Sequence, residues 1–100
     1  MAQAFVQAAI KSNKVVVITK NYCPYCNEVK SLFDSLKVNY KEFDIANHPE
    51  MHPIQDYLKE LTGARSVPRV FIGGKSIGGC DDTKAMAAEG KLLPLISSLL

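Results

Sequence analysis

The sequence has little of what several protein classes require. It contains only three cysteines among 100 residues, a small and odd number that excludes a disulfide-rich secreted scaffold. Its 12 basic and 10 acidic residues leave a net charge of +2, which is too small to indicate a nucleic-acid or membrane partner by charge alone. No stretch approaches the ~20 apolar residues of a membrane-spanning helix.

The amino terminus also lacks the pattern of a targeting signal. Residues 1–10 contain no lysine or arginine, and Gln3 and Gln7 interrupt the apolar residues, which is untypical of a secretory signal. The chain has no repeat, low-complexity tract or linker, and 47% of its residues are hydrophobic. We therefore predict one domain over residues 1–100, monomeric and in the reducing cytoplasm.

The spacing of the apolar residues predicts an α/β fold. Helices are predicted over residues 2–12, 24–36, 51–62, 82–89 (starting near Asp81) and 91–99, and strands over residues 14–19, 40–45, 69–72 and 75–77. The first strand is a continuous β-branched run, typical of a central strand covered on both faces. The element order favours a four-stranded mixed sheet flanked by helices on both faces, with the first two strands parallel.

The segment Cys23-Pro24-Tyr25-Cys26 carries the strongest chemical signal. It follows the buried strand and opens a helix, where free N–H groups and the helix dipole stabilise a thiolate and lower the pKa of a cysteine. Cys26 lies one turn further on, so the two sulfurs can form a small-ring disulfide. A low-pKa thiolate also leaves faster from a mixed disulfide. We predict thiol–disulfide exchange, with Cys23 attacking and Cys26 resolving.

Two other uses of this motif are disfavoured. Structural zinc needs four ligands, and the only further thiol or imidazole groups are Cys80, His48 and His52. A purely structural disulfide across so short a loop would add little stability. We expect Cys80 to be a buried, inert thiol, with regulatory oxidation as the alternative. We expect His48 and His52 in a solvated loop before the third helix.

Three segments in this order resemble the dithiol glutaredoxins of the thioredoxin superfamily. They are Lys20-Asn21-Tyr22-Cys23-Pro24-Tyr25-Cys26, Ser66-Val67-Pro68-Arg69-Val70-Phe71-Ile72 and Ile77-Gly78-Gly79-Cys80-Asp81-Asp82. Ser66 stands where the family more often has threonine, and it keeps the hydroxyl group. The resemblance implies the thioredoxin fold, glutathione as the reductant, and a cis peptide bond before Pro68.

The resemblance also implies which residues bind glutathione. Lys20 and Gln55 would hold the glycine carboxylate of the tripeptide. The backbone of Val67, beside Pro68, would pair with its cysteine moiety in the manner of an added strand. Tyr25 would flank the sulfurs and offer one wall for the ligand. Each of these side chains also has an ordinary structural explanation: a strand-end lysine, a solvated helix face, and an exposed tyrosine.

A second part of the implied glutathione site lies at the start of the fourth helix. Backbone N–H groups near Asp81 and Asp82 would bind the γ-glutamyl carboxylate, and an aspartate side chain would pair with its ammonium group. The ordinary alternative is an aspartate that only caps the helix. Arg69 adds positive charge nearby, but a plain hairpin cation explains it equally well, so it is not among the predicted site residues.

The predicted function is glutathione-dependent reduction of protein disulfides and of protein–glutathione mixed disulfides through Cys23 and Cys26. The predicted partners are glutathione and proteins that carry such disulfides, with no nucleic acid, membrane, metal or tightly bound cofactor. Two alternatives remain open. One is a thioredoxin-like reductase that does not use glutathione. The other is a dimer that holds a [2Fe–2S] cluster through Cys23 and glutathione, which the stiff turn at Pro24 disfavours.

Overall fold

The structure, a computed structural model, describes residues 1–99, so Leu100 of the predicted domain lies outside the described residues. The helices in this part of the chain are α1 (Ala2–Ser12), α2 (Pro24–Ser35), α3 (Met51–Thr62), α4 (Cys80–Ala88) and α5 (Leu92–Ser97). The strands are β1 (Val15–Thr19), β2 (Lys41–Asp44), β3 (Arg69–Ile72) and β4 (Lys75–Gly78). Every element begins and ends within about two residues of its predicted bounds.

The strands form a mixed sheet in the order β2-β1-β3-β4. β1 runs parallel to β2, with Val17 opposite Glu42, and antiparallel to β3, with Val17 opposite Val70. β3 and β4 form the predicted antiparallel hairpin. The four-stranded mixed sheet and the parallel pairing of the first two strands are therefore confirmed. This arrangement places the carboxyl end of β1, and the loop that carries Cys23, at the edge of the sheet beside the loop before β3.

β1 lies at the centre of the molecule and contributes to two hydrophobic clusters. Val16 and Ile18 pack on one face of the sheet with α1 and α3. Val15 and Val17 pack on the other face with α2, α4 and α5. All five residues of β1 are buried, as its β-branched composition predicts. Both faces of the sheet are covered by helices, and the thiol segment is anchored between a fully buried strand and a helix that packs on it.

The expectation of a solvated loop for His48 and His52 is met only in part, since His48 alone lies in the loop before α3. His52 lies in the first turn of α3, not in the loop before it. His48 is half-buried, because its ring packs on Phe5 with 4.7 Å between ring centroids and its Nδ1 accepts the backbone N–H of Glu50 at 2.9 Å. No helix among residues 1–99 is long and apolar enough to cross a membrane.

Candidate active site

Cys23 is the N-cap residue of α2, and its sulfur faces the free backbone donors of the first turn. The backbone is extended there (φ −99°, ψ 113°), and the Cys26 N–H donates to Cys23 Sγ at 3.2 Å. Pro24 occupies the next position, where a missing N–H costs no hydrogen bond. A sulfur that accepts an N–H at a helix start is stabilised as thiolate. The half-exposed Cys23 is thus placed to act as a nucleophile.

Cys26 has the opposite environment although it lies only one turn away. It is fully buried, and this burial, reinforced by a hydrogen bond with Cys23, raises the pKa of Cys26 to about 12. A backbone hydrogen bond with Lys20 and the charge of Lys30 act in the opposite direction but are smaller effects. At neutral pH Cys26 is therefore a protonated thiol. The two cysteines are both reduced, and they differ as an attacking and a resolving thiol should differ.

A groove of about 330 Å³ is lined by residues near Cys23. Its wall is formed by the first turn of α2, the loop before β3 and the start of α4, and its lining residues are Tyr25, Ser66, Val67, Pro68, Arg69, Gly79, Cys80, Asp81 and Asp82. The link to the sulfur is direct, since Cys23 Sγ lies 3.6 Å from the carbonyl oxygen of Val67. Two larger clefts, of about 590 and 800 Å³, have no cysteine in their linings.

The loop before β3 forms the middle of the groove wall. The Val67–Pro68 peptide bond is cis, as the resemblance implied. The loop is held from below by Gln55, whose Nε2 donates to the carbonyl oxygen of Arg65 at 2.9 Å. Gln55 is buried, so the alternative of a solvated helix face is wrong. It does not line the groove, and its Oε1 has no hydrogen-bond partner among the residues described.

The start of α4 forms the far end of the groove. The helix begins at Cys80, not near Asp81, because Gly79 is the extended N-cap residue. Asp82, at the third helical position, reaches back and accepts the Gly79 N–H at 3.1 Å through Oδ2. Asp82 therefore does cap the helix, as the ordinary alternative predicted, although it does so from the third helical position and not from the N-cap position. Asp81 and Asp82 are both exposed at the groove, and the first backbone N–H groups of α4 lie beside them.

Arg69 lines the groove, although it is not among the residues predicted from the sequence. Its Nε donates to the carbonyl oxygen of Pro68 at 3.0 Å, and burial lowers the pKa of Arg69 against the opposing influence of the Asp82 carboxylate. A Cβ atom on Gly79 would lie 2.5 Å from Arg69 Nη2 and 3.3 Å from the Pro68 carbonyl oxygen. The absence of a side chain at Gly79 thus lets α4 approach the cis-proline loop. The position of Arg69 directly after Pro68 was the available signal for its role.

The remaining predicted residues lie around the groove. Tyr25 forms part of its wall and is 60% exposed. Lys20 is half-buried, its carbonyl oxygen accepts the Cys23 N–H at 3.1 Å, and its Nζ lies 6.0 Å from the centroid of the Tyr22 ring. Lys20 is adjacent to the thiol loop but is not a lining residue of the groove.

Cys80 is buried, which confirms the expectation about its position. Burial raises the pKa of Cys80, so its thiol is protonated at neutral pH. Across residues 1–99, no group of three or more histidine, cysteine, aspartate or glutamate side chains is arranged to hold a metal ion.

Comparisons with known proteins agree with this geometry. The family model described as Glutaredoxin matches residues 15–77. The chain is 47% identical to the glutaredoxin of Ricinus communis over 97 residues, covering 97% of this chain and 95% of that protein. It is also 47% identical to glutaredoxin-1 of Sus scrofa over 102 residues, covering 99% of this chain and 96% of the relative.

A solved structure provides the corresponding comparison of folds. The complex of buckwheat glutaredoxin with glutathione superposes with a TM-score of 0.94 at 43% identity, covering 98% of this chain and 89% of that one. The buried strand, the Cys23–Cys26 spacing and the cis-proline loop thus occur within a fold that this relative shares. The chain therefore belongs to the glutaredoxin family of thiol oxidoreductases, as a dithiol member with the Cys-Pro-Tyr-Cys motif and the thioredoxin fold.

Proposed function

We propose that this glutaredoxin reduces protein–glutathione mixed disulfides and protein disulfides, with glutathione as the electron donor. The observation that carries the proposal is the position of Cys23. Its sulfur accepts a backbone N–H at the start of α2 and lies 3.6 Å from the carbonyl oxygen of Val67, which lines the groove. One side of the sulfur is thus stabilised as thiolate, while the other side is open to a substrate.

The first reaction needs Cys23 alone. The Cys23 thiolate attacks the glutathione sulfur of a glutathionylated protein, a Cys23–glutathione disulfide forms, and the protein thiolate leaves and takes up a proton. The thiolate of a second glutathione then attacks the sulfur of the bound glutathione. Oxidised glutathione leaves, and Cys23 is released again as a thiolate, which the N–H of Cys26 stabilises as a leaving group.

The second reaction also uses Cys26. Cys23 attacks a protein disulfide and releases one protein thiol, which leaves a mixed disulfide between Cys23 and the substrate. Cys26 loses its proton and attacks the Cys23 sulfur, so the intramolecular disulfide forms and the second protein thiol departs. Two glutathione molecules then reduce Cys23–Cys26 and leave as oxidised glutathione. Because burial keeps Cys26 protonated, resolution is expected to be slower than the initial attack.

The charges around the groove support glutathione as the ligand. Glutathione carries two carboxylates and one ammonium group. The first N–H groups of α4 suit the γ-glutamyl carboxylate, and Asp81 or Asp82 suits its ammonium group. The Val67 backbone would pair with the cysteine moiety, and Tyr25 would form one wall. The solved complex of the buckwheat relative, which contains glutathione, supports the same ligand.

The glycine carboxylate would be bound by Lys20, with Gln55 as its predicted second ligand. Lys20 supports this proposal through its place next to the thiol loop, since its carbonyl oxygen accepts the Cys23 N–H. Gln55 already donates one N–H to Arg65, so only its second N–H is left for a ligand. We propose, in addition, that residues 1–100 form one monomeric domain in the cytoplasm. Three reduced cysteines suit that compartment.

Three single variants test the mechanism. In a coupled assay with glutathione, glutathione reductase and a glutathionylated peptide, Cys23→Ser should lose turnover completely. Cys26→Ser should stay within about threefold of the parent protein, because the first reaction does not need the resolving thiol. Cys80→Ser is the matched control and should resemble the parent. Turnover retained in Cys23→Ser would refute the assignment of the nucleophile.

The same preparation separates the two alternatives. A thioredoxin-like reductase would need a flavoenzyme that reduces it directly, so it would show no turnover when glutathione is the only electron donor. A cluster-binding dimer would show visible absorbance after anaerobic purification and a mass of two chains. The match to the glutaredoxin family and the solved complex of the buckwheat relative with glutathione support the glutathione-dependent oxidoreductase.

A further inference from the structure

A polar network lies behind the buried thiol, away from the groove. Oε2 of Glu42, on β2, accepts a hydrogen bond from Thr19 Oγ1 at 2.6 Å and one from Lys30 Nζ at 3.1 Å. Thr19 is fully buried at the end of β1, and the side chains of Lys30 and Glu42 are 27% and 30% exposed. Thr19 of β1 thus holds the Glu42 carboxylate of β2 in place, and this carboxylate in turn holds the Lys30 ammonium group of α2.

Lys30 is held close to the resolving thiol by the helix itself. It follows Cys26 by four residues on α2, and residues at this spacing lie on the same face of a helix with Cβ atoms about 5–6 Å apart. The Glu42 hydrogen bond prevents the long side chain from swinging into solvent. It also raises the pKa of Lys30, so the side chain stays cationic throughout the neutral and mildly alkaline range.

The charged groups around the two residues can be named. The charges that act on the pKa of Cys26 are those of Cys23 and Lys30, and of these only Lys30 favours the Cys26 thiolate. Lys30 contacts Glu42, and the charges of Glu42, Tyr40 and Cys26 act on its pKa. Before the resolution step Cys23 is bonded to the substrate and no longer carries a negative charge. Lys30 is then the one charge named here that still acts on Cys26.

We propose that Lys30, held by Glu42 and Thr19, is a positioning residue that promotes the attack of Cys26 on the Cys23 mixed disulfide. The inference rests on the proposed function and assigns a residue to its second reaction only. In that step the Cys26 proton passes to solvent, the Cys26–Cys23 bond forms, the bond between Cys23 and the substrate sulfur breaks, and the substrate thiolate is protonated. The first reaction, which uses Cys23 and glutathione, does not depend on Lys30.

The expected size of the effect follows from thiol chemistry. If loss of the Lys30 charge lowers the thiolate fraction of Cys26 about tenfold, the more basic thiolate that remains is a better nucleophile and recovers about threefold. The net expectation for Lys30→Met is therefore a resolution step about threefold slower at each pH, with the whole pH–rate profile displaced to higher pH. Lys30→Arg keeps the charge and should restore the parent profile.

The experiment follows both steps in one reaction. Reduced protein is mixed with a glutathionylated peptide at a series of pH values between 6 and 10. The reaction is quenched with acid at successive times, and the products are analysed by mass spectrometry. The Cys23–glutathione adduct reports the first step, and the loss of that adduct to the intramolecular disulfide reports resolution. Lys30→Met should leave adduct formation unchanged and slow only its loss. Lys84→Met is the matched control, since Lys84 pairs with Glu28 on the surface between α4 and α2.

The outcomes are distinct. A resolution profile of Lys30→Met that coincides with the parent profile would overturn the inference, as would an equal displacement in Lys84→Met. A displacement in Lys30→Met that Lys30→Arg reverses would support it, because a purely structural loss would not be restored through charge. If the proposed function itself fails, the parent protein forms no glutathione adduct. Failure of the inference alone leaves the parent fully active.

Discussion

At the scale of single residues, the candidate active site places two cysteines, Cys23 and Cys26, in opposite environments. Cys23 accepts an N–H and is partly exposed, whereas Cys26 is sealed below it with a pKa of about 12. The contrast comes from the helix, since one residue caps it and the other is inside its first turn. A single turn of backbone therefore separates the proposed nucleophile from the proposed resolving thiol.

This contrast predicts selective alkylation. Iodoacetamide reacts with thiolates, so at pH 7 the folded protein should be modified at Cys23, while Cys26 and Cys80 remain thiols because burial raises the pKa of both. In denaturant all three cysteines should react. Peptide mass mapping after a short pulse is the measurement. Modification of Cys26 in the folded protein at a rate similar to that of Cys23 would contradict the geometry.

The raised pKa of Cys26 also predicts a loss of stability in alkali. The unfolded chain ionises this thiol near its ordinary pKa of 9.0, while the folded protein holds the proton up to about pH 12. Above pH 9 the unfolded state therefore binds fewer protons, and the free energy of unfolding falls as the pH rises. Between pH 8 and 10 the loss from this group is about 1 kcal/mol.

Cys26→Ala should lack this part of the pH dependence. Urea unfolding under reducing conditions, at pH 8 and pH 10, compares the two proteins. Every other titrating group is common to both, so the difference between their slopes isolates Cys26. Equal slopes would show that the thiol ionises as readily in the folded protein as in the unfolded chain.

The positions of the two cysteines at the start of α2 could be predicted from sequence, but the positions of the residues around them could not. The N-cap position of Cys23 follows from local signals, a β-branched run and then proline. By contrast, Lys30 and Glu42 form a hydrogen bond only because β2 pairs in parallel with β1. No local sequence pattern in either segment predicts that contact. The sequence suggests that Gln55 is an exposed polar residue of a helix. It is buried instead, and its side chain donates a hydrogen bond to the carbonyl oxygen of Arg65.

At the scale of elements, two helices end in the left-handed conformation with different residues. α3 ends at Gly63, with φ 89°. After α2 the corresponding conformation is adopted by Lys37, with φ 58°, whose N–H donates to Asp34 while the Val38 N–H donates to Phe33. These two bonds form a Schellman motif. The left-handed region costs an L-residue about 1 kcal/mol, which glycine does not incur.

Opposite substitutions at these two helix ends should have opposite effects. Lys37→Gly is expected to raise the free energy of unfolding by roughly 1 kcal/mol, and Gly63→Ala to lower it by a similar amount, since no atom lies within 4 Å of a Cβ there and only the backbone is strained. Thermal and urea unfolding provide the measurement. A destabilised Lys37→Gly would mean that the lysine side chain has a stabilising contact of its own.

The elements also show where local sequence signals are sufficient and where they mislead. The Gly73-Gly74 turn, the proline at the start of α2 and the glycine after α3 all fix the expected boundaries. The predicted start of α4 near Asp81 is slightly late, because aspartate is the more familiar capping residue. Here Gly79 takes the N-cap position, where a Cβ atom would displace the Arg69 guanidinium and lie tightly against the Pro68 carbonyl oxygen.

At the scale of the whole molecule, one strand joins two cores. Ile18 packs with α1 and α3 on one face, and Phe33 packs on the other face against the same sheet. Neither cluster can loosen without displacing β1, which also positions the thiol loop. The fold class was predictable from the order of elements, because a parallel β1–β2 pair followed by a hairpin permits few arrangements.

Cavities in either core should therefore weaken the molecule as a unit. Ile18→Ala and Phe33→Ala are each expected to cost about 2–5 kcal/mol, because both side chains are fully buried. The loss should be the same by circular dichroism and by tyrosine fluorescence, with one cooperative transition. Two separated transitions in either variant would show that the faces of the sheet unfold independently.

The strand order of the sheet leaves β2 and β4 as its two edge strands. Its outer strands, β2 and β4, have only four residues each, and each begins with an exposed lysine, Lys41 and Lys75. Short, charged borders resist being extended by foreign strands. The two borders of the sheet are therefore poor templates for an added strand, so the folded protein should stay unassociated through its sheet edges even at high concentration.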